Sequence, residues 1–527
     1  RPNWMEKKKI TIYQTSDVHG YLYPSNYQKR DENQAFGLFK LASLLKEESE
    51  GSSILVDNGD FLQGSPFSYY IYKHDHKADR LMEAYNDLDF DLGVLGNHEF
   101  NYGLDYLKSA ISASHFPILA ANILDEEGQP AFGKAYEIME RDGIKIAILG
   151  LTTQYIPHFE HPDHIRGLTF VSVLETAQKY LPFLRDQADL VIVSYHGGFE
   201  VDLGEDLGDK AAWSKTGENE GLALLEACGD SIDLFLTGHQ HKLYQGQVLD
   251  TPILMPGHKG SHLAKADLFL EKQNGQWTLT DCKPQLLPVE SRTGVDQDLA
   301  GKFQEVNQEV EDWLDTDLGY DSNNNLNIED VHQARLEGHP YIEFINRVQM
   351  YFSQASISAS SFFNNDVKGF KEQITMRDIV SNYIYPNTLA VVKITGQDLK
   401  AALEQTAEYY DLDEAGHLVI NEAWLKPKPQ VYNYDIYQGI DYTLDIQKDK
   451  GQRVTKLEFQ GQYIQPDQEL ELVLNQYRAV GGGDYHMFGS QKIVREVTRP
   501  MTELIAEYIE KFGPLKIPQP SNFKVTY

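Results

Sequence analysis

The chain has 527 residues and a formal net charge of −32, from 79 acidic and 47 basic side chains. This length exceeds what one hydrophobic core usually supports, so two or three domains are expected. The acidic balance argues against a nucleic-acid polymer as partner, because phosphate contacts need clustered Lys and Arg. The two cysteines, Cys228 and Cys282, cannot form a disulfide framework, and no apolar run reaches membrane-spanning length.

The N-terminus carries a short polar stretch, residues 5–9, directly before the first predicted strand. It shows no hydrophobic segment of the kind found in secretory signals. We therefore expect a cytoplasmic protein. The alternative is an extracellular or cell-surface protein whose signal peptide has been removed.

Residues 5–290 alternate strand-like apolar runs with amphipathic stretches, which predicts an α/β domain. The predicted helices are 36–48, 81–88, 104–112, 176–184 and 221–227, and 144–149 is a predicted buried strand. The polar stretch around His74 and His76 is predicted to be a solvated loop.

Five apolar runs in this half end in side chains that can bind metal ions. The residues concerned are Asp17 and His19, Asp60, Asn97, His196, and His239 and His241. Ligands commonly bind at the carboxyl ends of strands in α/β sheets. One such motif alone usually marks only a turn, but five in succession predict a site. These O and N donors are too many for one tetrahedral zinc, and they suit two divalent ions that share a bridging carboxylate.

In chain order, the motifs Asp-x-His, Gly-Asp, Gly-Asn-His-Glu, His-Gly-Gly and Gly-His-x-His resemble the five blocks of the calcineurin-like metallophosphoesterases. The second half narrows the resemblance to two-domain nucleotidases of the 5′-nucleotidase and 2′,3′-cyclic-nucleotide 2′-phosphodiesterase/3′-nucleotidase type. This resemblance implies a four-layer α/β/β/α sandwich followed by a C-terminal mixed α/β nucleotide-binding domain. It also implies one ion bound by Asp17, His19, Asp60 and His241, and another by Asp60, Asn97, His196 and His239.

The ligand set leaves the identity of the ions open, with Mn²⁺ as the first expectation and Zn²⁺ as the second. His241 departs from the 5′-nucleotidase branch, which typically has Gln at this position. His258 and His262 flank a glycine after a later strand, and both are predicted to be structural.

His98 directly follows Asn97, so its side chain is expected to point in a different direction from that of Asn97. The resemblance implies that His98 lies near the phosphate, where it stabilises the transition state or protonates the leaving oxygen. Its usual partner in the family is an Asp three residues later, where this chain has Asn101. An amide can orient the imidazole but cannot stabilise its charged form as a carboxylate would. No side chain is predicted to act as a covalent nucleophile.

Residues 296–318 turn charged and helical, with apolar side chains three and four positions apart. An ordinary surface helix is one interpretation; in the family that the chain resembles, a helix here connects two domains. We expect a helical linker at 296–320, beside the polar break 321–325, and a second domain at 325–527.

The second half contains candidates for binding a nucleoside, since two aromatic faces usually stack a base. The resemblance implies Tyr434 and Tyr477 as the stacking pair, with Tyr432 as the alternative to Tyr434. The same motifs add Asn433, Asn475, Arg478 and Asp484 as candidates for polar contacts. The tyrosines could instead be cross-strand pairs of the core.

Motifs at 385–389, 432–445, 451–454 and 475–479 resemble the cyclic-phosphodiesterase/3′-nucleotidase branch. Where 5′-nucleotidases carry a phosphate-directed Arg, this chain has Ser360 and Ser361. We therefore predict hydrolysis of 2′,3′-cyclic nucleotides and 3′-nucleotides to nucleoside and phosphate. The alternatives are a 5′-nucleotidase or broader nucleotide phosphodiesterase and, outside the enzymes, a nucleotide-binding protein on a phosphatase scaffold.

Overall fold

The computed structural model describes residues 6–48, 51–158, 160–204, 206–383, 387–497 and 500–527. Met5, at the start of the predicted domain 5–290, and Tyr385 and Pro386, of the motif 385–389, lie outside these ranges. The chain forms two compact units; the first holds residues up to Pro157 and His161–Val310, and the second is mainly Glu311–Tyr527. No helix in the described ranges is long and apolar enough to cross a membrane.

The first unit alternates strands and helices, as the spacing of its apolar residues predicts. Its strands are β1 Glu6–Thr15, β2 Ser53–Asp57, β3 Leu92–Val94, β4 Ile118–Leu119, β5 Ile123–Leu124, β6 Tyr136–Arg141, β7 Ile144–Thr152, β8 Thr169–Phe170, β9 Leu190–His196, β10 Leu234–Leu236, β11 Leu243–Val248, β12 Thr251–Pro256, β13 His262–Gln273 and β14 Gln276–Pro288. Its helices, the last of which continues past Val310, are α1 Leu38–Glu48, α2 Pro66–Asp75, α3 Asp79–Asp87, α4 Leu104–Ala113, α5 Val173–Gln187, α6 Gly221–Cys228, α7 Gln297–Lys302 and α8 Gln304–Leu314.

Two mixed sheets stack face to face in the described part of this unit. Their strand orders are β14-β13-β1-β2-β3-β4 and β11-β12-β10-β9-β7-β6. On one face of β7, Ile144, Ile146 and Ile148 join a core that includes residues of the first sheet. On the other face, Ala147 and Leu149 pack with residues of α5 and α6. Alternate residues of β7 therefore face the other sheet on one side and helices on the other. Helix α1 contacts β13 of the first sheet, and the result is a four-layer α/β/β/α sandwich.

The parallel strands position the site. Strands β1, β2 and β3 run parallel in the first sheet, and β7, β9 and β10 run parallel in the second. In such sheets the carboxyl ends of neighbouring strands meet at one edge. The last residue of β9, His196, and the loops that follow β1, β2, β3 and β10 carry the predicted metal ligands.

Helix α2 occupies part of the stretch that was predicted to be a loop. The Ser65 side chain accepts a hydrogen bond from the Ser68 N–H, and Pro66 occupies the first helical position, both strong helix-start signals. The helix continues to Asp75, and His76 ends it in the left-handed conformation. The loop prediction was therefore wrong for His74, which lies in the last turn of this helix.

The segment predicted as a helical linker contains α7, α8 and the strand β15 Asp317–Tyr320. The apolar positions Phe303, Val306 and Val310 are buried, as their spacing suggests. The division between the compact units falls inside α8, after Val310. The linker role of this segment stays a prediction.

The second unit is a separate mixed α/β structure with its own hydrophobic core. Its further strands are β16 Ile357–Ser360, β17 Gln373–Thr375, β18 Leu389–Thr395, β19 Tyr410–Leu412, β20 Leu418–Ile420, β21 Ile436–Gln438, β22 Asp441–Asp445, β23 Val454–Phe459, β24 Gln462–Tyr463, β25 Glu469–Asn475, β26 Ile493–Val497 and β27 Phe523–Thr526. Its helices are α9 Val331–Glu337, α10 Pro340–Ser353, α11 Met376–Asn382, α12 Gly396–Ala407, α13 Gln476–Ala479 and α14 Met501–Phe512. Its larger sheets have the orders β21-β16-β25-β18-β26 and β24-β23-β22-β27.

Candidate metal centre

The carboxyl ends of five strands and the loops after them bring the predicted metal ligands into two neighbouring groups. Within each group the potential ligand atoms lie within 4.8 Å of one another. The groups are Asp17, His19 and His241, and Asp60, His196 and His239. Asn97 adjoins the second group, since its Oδ1 lies 3.2 Å from His196 Nε2 and 3.1 Å from His239 Nδ1.

The distances between these ligand atoms suit cations bound among them. His19 Nε2 and His241 Nε2 are 3.2 Å apart, and Asp17 Oδ1 lies 3.5 Å from His241 Nε2. In the second group, His196 Nε2 lies 3.1 Å from Asp60 Oδ2. Ligands that share one ion at bond lengths of about 2.1 Å are separated by about 3.0–3.5 Å in octahedral or tetrahedral geometry. The spacing therefore matches shared coordination.

Two buried carboxylate oxygens of this site lack a hydrogen-bond donor among the described residues. They are Asp17 Oδ1 and Asp60 Oδ2. The other oxygen of each carboxylate is held in place: Asp17 Oδ2 accepts from Ser16 Oγ at 2.6 Å, and Asp60 Oδ1 accepts from the His98 N–H at 2.8 Å. Burying an anionic oxygen without a partner is costly unless a cation compensates it. The donor set thus fits two divalent ions.

Backbone carbonyl groups fix two of the imidazole rings. His19 Nδ1–H donates to the Gln63 carbonyl at 2.8 Å, and His196 Nδ1–H donates to the Asn58 carbonyl at 2.7 Å. A carbonyl oxygen can only accept, so the ring proton lies on Nδ1 and leaves Nε2 as the ligand atom. In both rings Nε2 faces the other candidate ligands.

Most of the candidate ligands adopt a left-handed backbone conformation. The φ angles are 55° at Asp17 and His19, 61° at Asp60 and His241, and 74° at His239. Asp and His tolerate this region better than most residues, but it still costs about 1–3 kcal/mol at each position. Such strain typically clusters at functional sites, and here it turns the side chains toward one another.

Burial and charge act in opposite directions on the ionisable groups of the site. Burial disfavours a charge on His196, but as long as no cation lies between them the Asp60 and Asp17 carboxylates raise its pKa to about 10. At His19 desolvation dominates and lowers the pKa to about 3. Burial acts to raise the pKa of Asp17, yet His196 and His241 lower it to about 2. The site therefore keeps the Asp17 carboxylate ionised, as a cation site requires.

Glu99 is a residue of this site that the sequence analysis missed. Its buried carboxylate accepts hydrogen bonds from the N–H groups of Asp60 at 2.8 Å and Phe61 at 2.7 Å, and from the N–H of Gly96. Burial raises the pKa of Glu99 to about 8, and the Asp60 charge adds to this. A Cβ at Gly96 would collide with the Asp60 carboxylate. Glu99 thus ties the loop after β2 to the loop after β3, and its spacing from Gly96 is that of a capping box.

His258, predicted to be structural, supports one of the ligand candidates. Its ring stacks on His241 with centroids 4.7 Å apart and planes inclined by 6°. Burial, together with the His241 charge, lowers the pKa of His258 to about 2. The neutral ring therefore restricts the rotation of His241 and stays outside both ligand groups.

His98 lies next to the candidate ligands. Its Nδ1 is 2.6 Å from Asn101 Oδ1, and its ring packs edge-on against His19 with centroids 5.2 Å apart. The amide oxygen can only accept a hydrogen bond, so it orients the His98 ring with the proton on Nδ1. The structure thus brings His98 and Asn101 together beside the two groups.

In the second unit, the structure brings together two of the three predicted tyrosines. The rings of Tyr432 and Tyr477 are half-buried, with centroids 6.3 Å apart and planes inclined by 61°. Tyr434 is only 2% exposed and belongs to the hydrophobic core. Its ring packs 4.7 Å from Tyr409 and 5.5 Å from Tyr410. Because Tyr434 leads into β21, its side chain points into the core, whereas Tyr432 stays near the surface.

Most of the predicted polar contact residues form an internal network. Arg478, 2% exposed, donates through Nε to Asp435 Oδ2 at 2.7 Å and through its terminal nitrogens to Asn433 Oδ1 and the Gly482 carbonyl. Asn475 Oδ1 accepts from the Arg478 N–H at 2.8 Å. These contacts hold the short helix α13, which carries Tyr477.

Asp484 differs from these residues because it is exposed. Together with Asn433 and Gly483 it lines a cavity of about 560 Å³ within the second unit. Glu404 and Trp424 are also part of the lining. Of the predicted polar contact residues, Asp484 is therefore the one best placed to meet a ligand.

Two family models match the chain. The model described as calcineurin-like phosphoesterase matches residues 10–243, and the one described as 5′-nucleotidase, C-terminal domain, matches residues 321–490. The first match spans the loops with the candidate metal ligands. The second spans Tyr432, Tyr477 and Asp484.

Individual relatives cover nearly the whole chain. The 2′,3′-cyclic-nucleotide 2′-phosphodiesterase/3′-nucleotidase of Salmonella typhimurium is 28% identical, over 91% of this chain and 83% of its own length. The 5′-nucleotidase of Vibrio vulnificus is 24% identical, over 97% of this chain and 91% of its own length. A Staphylococcus aureus protein of known crystal structure, provisionally named a 5′-nucleotidase, has 36% sequence identity to this chain, and the two structures superpose with a TM-score of 0.89. That comparison covers 99% of this chain and 100% of that one.

Proposed function

Because the chain belongs to the calcineurin-like phosphoesterases that carry a 5′-nucleotidase C-terminal domain, we propose that it is a metal-dependent hydrolase of nucleotide phosphoesters. Its preferred substrates are 2′,3′-cyclic nucleotides and 3′-nucleotides, and its final products are nucleoside and phosphate. The observation that carries this proposal is the pair of buried carboxylate oxygens, Asp17 Oδ1 and Asp60 Oδ2, that lack a hydrogen-bond donor beside candidate imidazole ligands.

Two divalent ions are the cofactor that suits this donor set. One ion would be held by Asp17, His19, Asp60 and His241, and the other by Asp60, Asn97, His196 and His239. When bound, such ions polarise phosphoryl oxygens and activate water for attack. We propose Mn²⁺ first and Zn²⁺ second, because imidazole, carboxylate and amide oxygen serve both.

The residues of the chain have separate roles in this proposal. Asp60 contributes to both ion sites, and its position is fixed by the N–H of His98 at 2.8 Å. Asn97 provides a neutral oxygen ligand, which adds no charge. His98, oriented by Asn101, stabilises charge on the phosphoryl oxygens or gives a proton to the leaving ribose oxygen.

The nucleoside is proposed to bind through the second unit. Tyr432 and Tyr477 are the stacking candidates, because their rings are neighbours and half-buried. The burial of Tyr434 favours Tyr432 over it as the first ring. Asp484 is the candidate for a hydrogen bond to base or ribose, and the network around Arg478 keeps Tyr477 in place.

A 5′-nucleotidase is the second candidate function, and the name of the Vibrio vulnificus relative supports it. Against it stand Ser360 and Ser361 in place of a phosphate-directed Arg. The Ser361 hydroxyl donates to the Tyr432 carbonyl at 2.7 Å, so this position supports the proposed stacking ring. A non-catalytic nucleotide-binding protein is disfavoured because the ligand set is complete. The cytoplasmic location expected from the sequence stays a prediction.

The test is phosphate release and product analysis with metal-stripped protein that has been refilled with Mn²⁺. The substrates are 2′,3′-cyclic AMP, 3′-AMP and 5′-AMP, and Asp60→Asn is the inactive control. Higher kcat/KM for the first two would support the proposal. A preference for 5′-AMP would favour the second candidate. No turnover of any of the three, with two ions bound, would contradict both.

A further inference from the structure

His239 is oriented differently from the candidate ligands His19 and His196. His19 and His196 donate to backbone carbonyls, whereas His239 Nε2 lies 2.9 Å from the side-chain oxygen Oε1 of Glu218. On the opposite side of the ring, His239 Nδ1 lies 3.1 Å from Asn97 Oδ1. An ionised carboxylate can only accept, so the ring proton lies on Nε2 and Nδ1 faces the candidate ion site.

The loop that presents Glu218 is anchored to the site by its backbone. The Thr153 hydroxyl, just after β7, donates to the Glu218 carbonyl at 2.7 Å. Asn219 Oδ1 accepts from the Gly198 N–H at 2.9 Å, two residues after His196. The Glu218 side chain is 38% exposed, and the His239 side chain is 12% exposed. The anchored loop thus places the Glu218 carboxylate next to Nε2 of the His239 ring.

We propose that Glu218 is a positioning residue that sets the affinity for one of the two ions. This inference rests on the proposed dimetal function. The ion concerned is the one that would be held by Asp60, Asn97, His196 and His239. A carboxylate hydrogen-bonded to a ligand imidazole fixes its orientation and makes the opposite nitrogen a stronger donor, and loss of such a partner weakens metal affinity about 10–100-fold.

Glu218 gives His239 an anionic partner that His19 does not have. At the other site, the partner of His19 is the neutral Gln63 carbonyl. Because Glu218 is partly exposed, water and salt weaken its electrostatic interaction with His239. We therefore expect the loss of metal affinity on removal of Glu218 to lie at the lower end of the range, about 10-fold.

The test compares Glu218→Gln and Glu218→Ala with Glu220→Gln, which removes the same charge two residues away. Each protein is stripped of metal and titrated with Mn²⁺ against a competing chelator, and bound metal is counted by elemental mass spectrometry. We expect the affinity for one ion to fall about 10-fold in both Glu218 variants, with the larger loss in Glu218→Ala, because Gln keeps an oxygen that can accept the hydrogen bond. The other ion and the Glu220→Gln protein should bind as in the wild type.

The melting temperature in excess chelator separates positioning from a general structural role. It should be the same in the wild type and the Glu218 variants, because the inference concerns the ion and not the packing. Wild-type affinity for both ions in the Glu218 variants would overturn the inference, and so would an equal loss in Glu220→Gln. If the wild type binds two ions but hydrolyses no nucleotide, the proposed function fails while the metal titration still decides the role of Glu218.

Discussion

The metal centre of the first unit and the Arg478 network of the second both bury charged groups, but they satisfy them differently. Around Arg478, the guanidinium donates to Asp435, Asn433 and a backbone carbonyl, so the protein itself compensates the charge. At the metal centre, Asp17 Oδ1 and Asp60 Oδ2 are buried without a donor among the described residues. A compensated buried charge holds a framework together, whereas an uncompensated one indicates a place for a ligand.

The same contrast separates neighbouring tyrosines in the second unit. Tyr434 is enclosed by other rings of the core, and Tyr432 remains partly accessible beside Tyr477. Burial thus distinguishes residues that build a site from residues that can contact its ligand.

The largest effect is expected at the metal centre, from Asp60→Asn. The amide removes the negative charge shared by both proposed ion sites, and ions of this kind contribute several kcal/mol to transition-state stabilisation. We expect kcat to fall by about 10³-fold or more and the affinity for both ions to weaken. Steady-state kinetics and metal counting measure this, with circular dichroism to verify folding. Turnover within about 10-fold of the wild type would remove Asp60 from the centre of the site.

The next largest effect is expected on stability, from Arg478→Ala. This change leaves the Asp435 carboxylate buried without its partner, which costs about 3–5 kcal/mol. The matched control is Arg495→Ala, since the side chains of its ion pair with Glu471 are 40% and 45% exposed and ion pairs near the surface contribute about 0–1 kcal/mol. Urea denaturation measures the free energy of unfolding. Equal losses in the two variants would show that the Arg478 pair is not a framework element.

A smaller effect is expected on substrate affinity, from Tyr432→Ala and Tyr477→Ala. Loss of one stacking ring costs about 1–3 kcal/mol, so KM should rise about 10-fold or more with little change in kcat. Tyr434→Phe is the matched control, because it removes only a hydroxyl group from a core ring, and its KM should stay unchanged. The assignment of the rings would be reversed if Tyr434→Phe raised KM and Tyr432→Ala did not.

The smallest effect is expected from Asn101→Ala, which removes the hydrogen bond that orients His98. One such bond contributes about 1 kcal/mol, so kcat should fall roughly five-fold while KM and metal content stay the same. His98→Asn is the reference for complete loss of the imidazole, and its kcat should fall by about 10²-fold or more. Equal losses in the two variants would mean that Asn101 is as important as the imidazole itself.

The candidate metal ligands could be named from the sequence because all of them lie at or just after the end of one of five strands, and a strand end is a local pattern. The helices that flank these strands were predicted for the same reason: 221–227 was expected, and α6 is Gly221–Cys228. Helix α2 was not predicted, and its polar last turn was interpreted as a loop because the two resemble each other in composition.

Contacts between distant segments were decided only by the tertiary structure. Glu218 lies 21 residues before His239 in the chain, and Glu99 binds the backbone of Asp60 across two loops. The left-handed conformation of His239 and His241 depends equally on how their loop is held.

The sequence by itself therefore determined which residue types stand at the ends of the strands, since hydrophobic periodicity depends only on residues that are close together in the chain. It could not decide whether Tyr432 or Tyr434 is accessible, because both are tyrosines in one short motif. Their difference in burial follows from packing against Tyr409 and Tyr410, and this packing exists only once the second unit has folded.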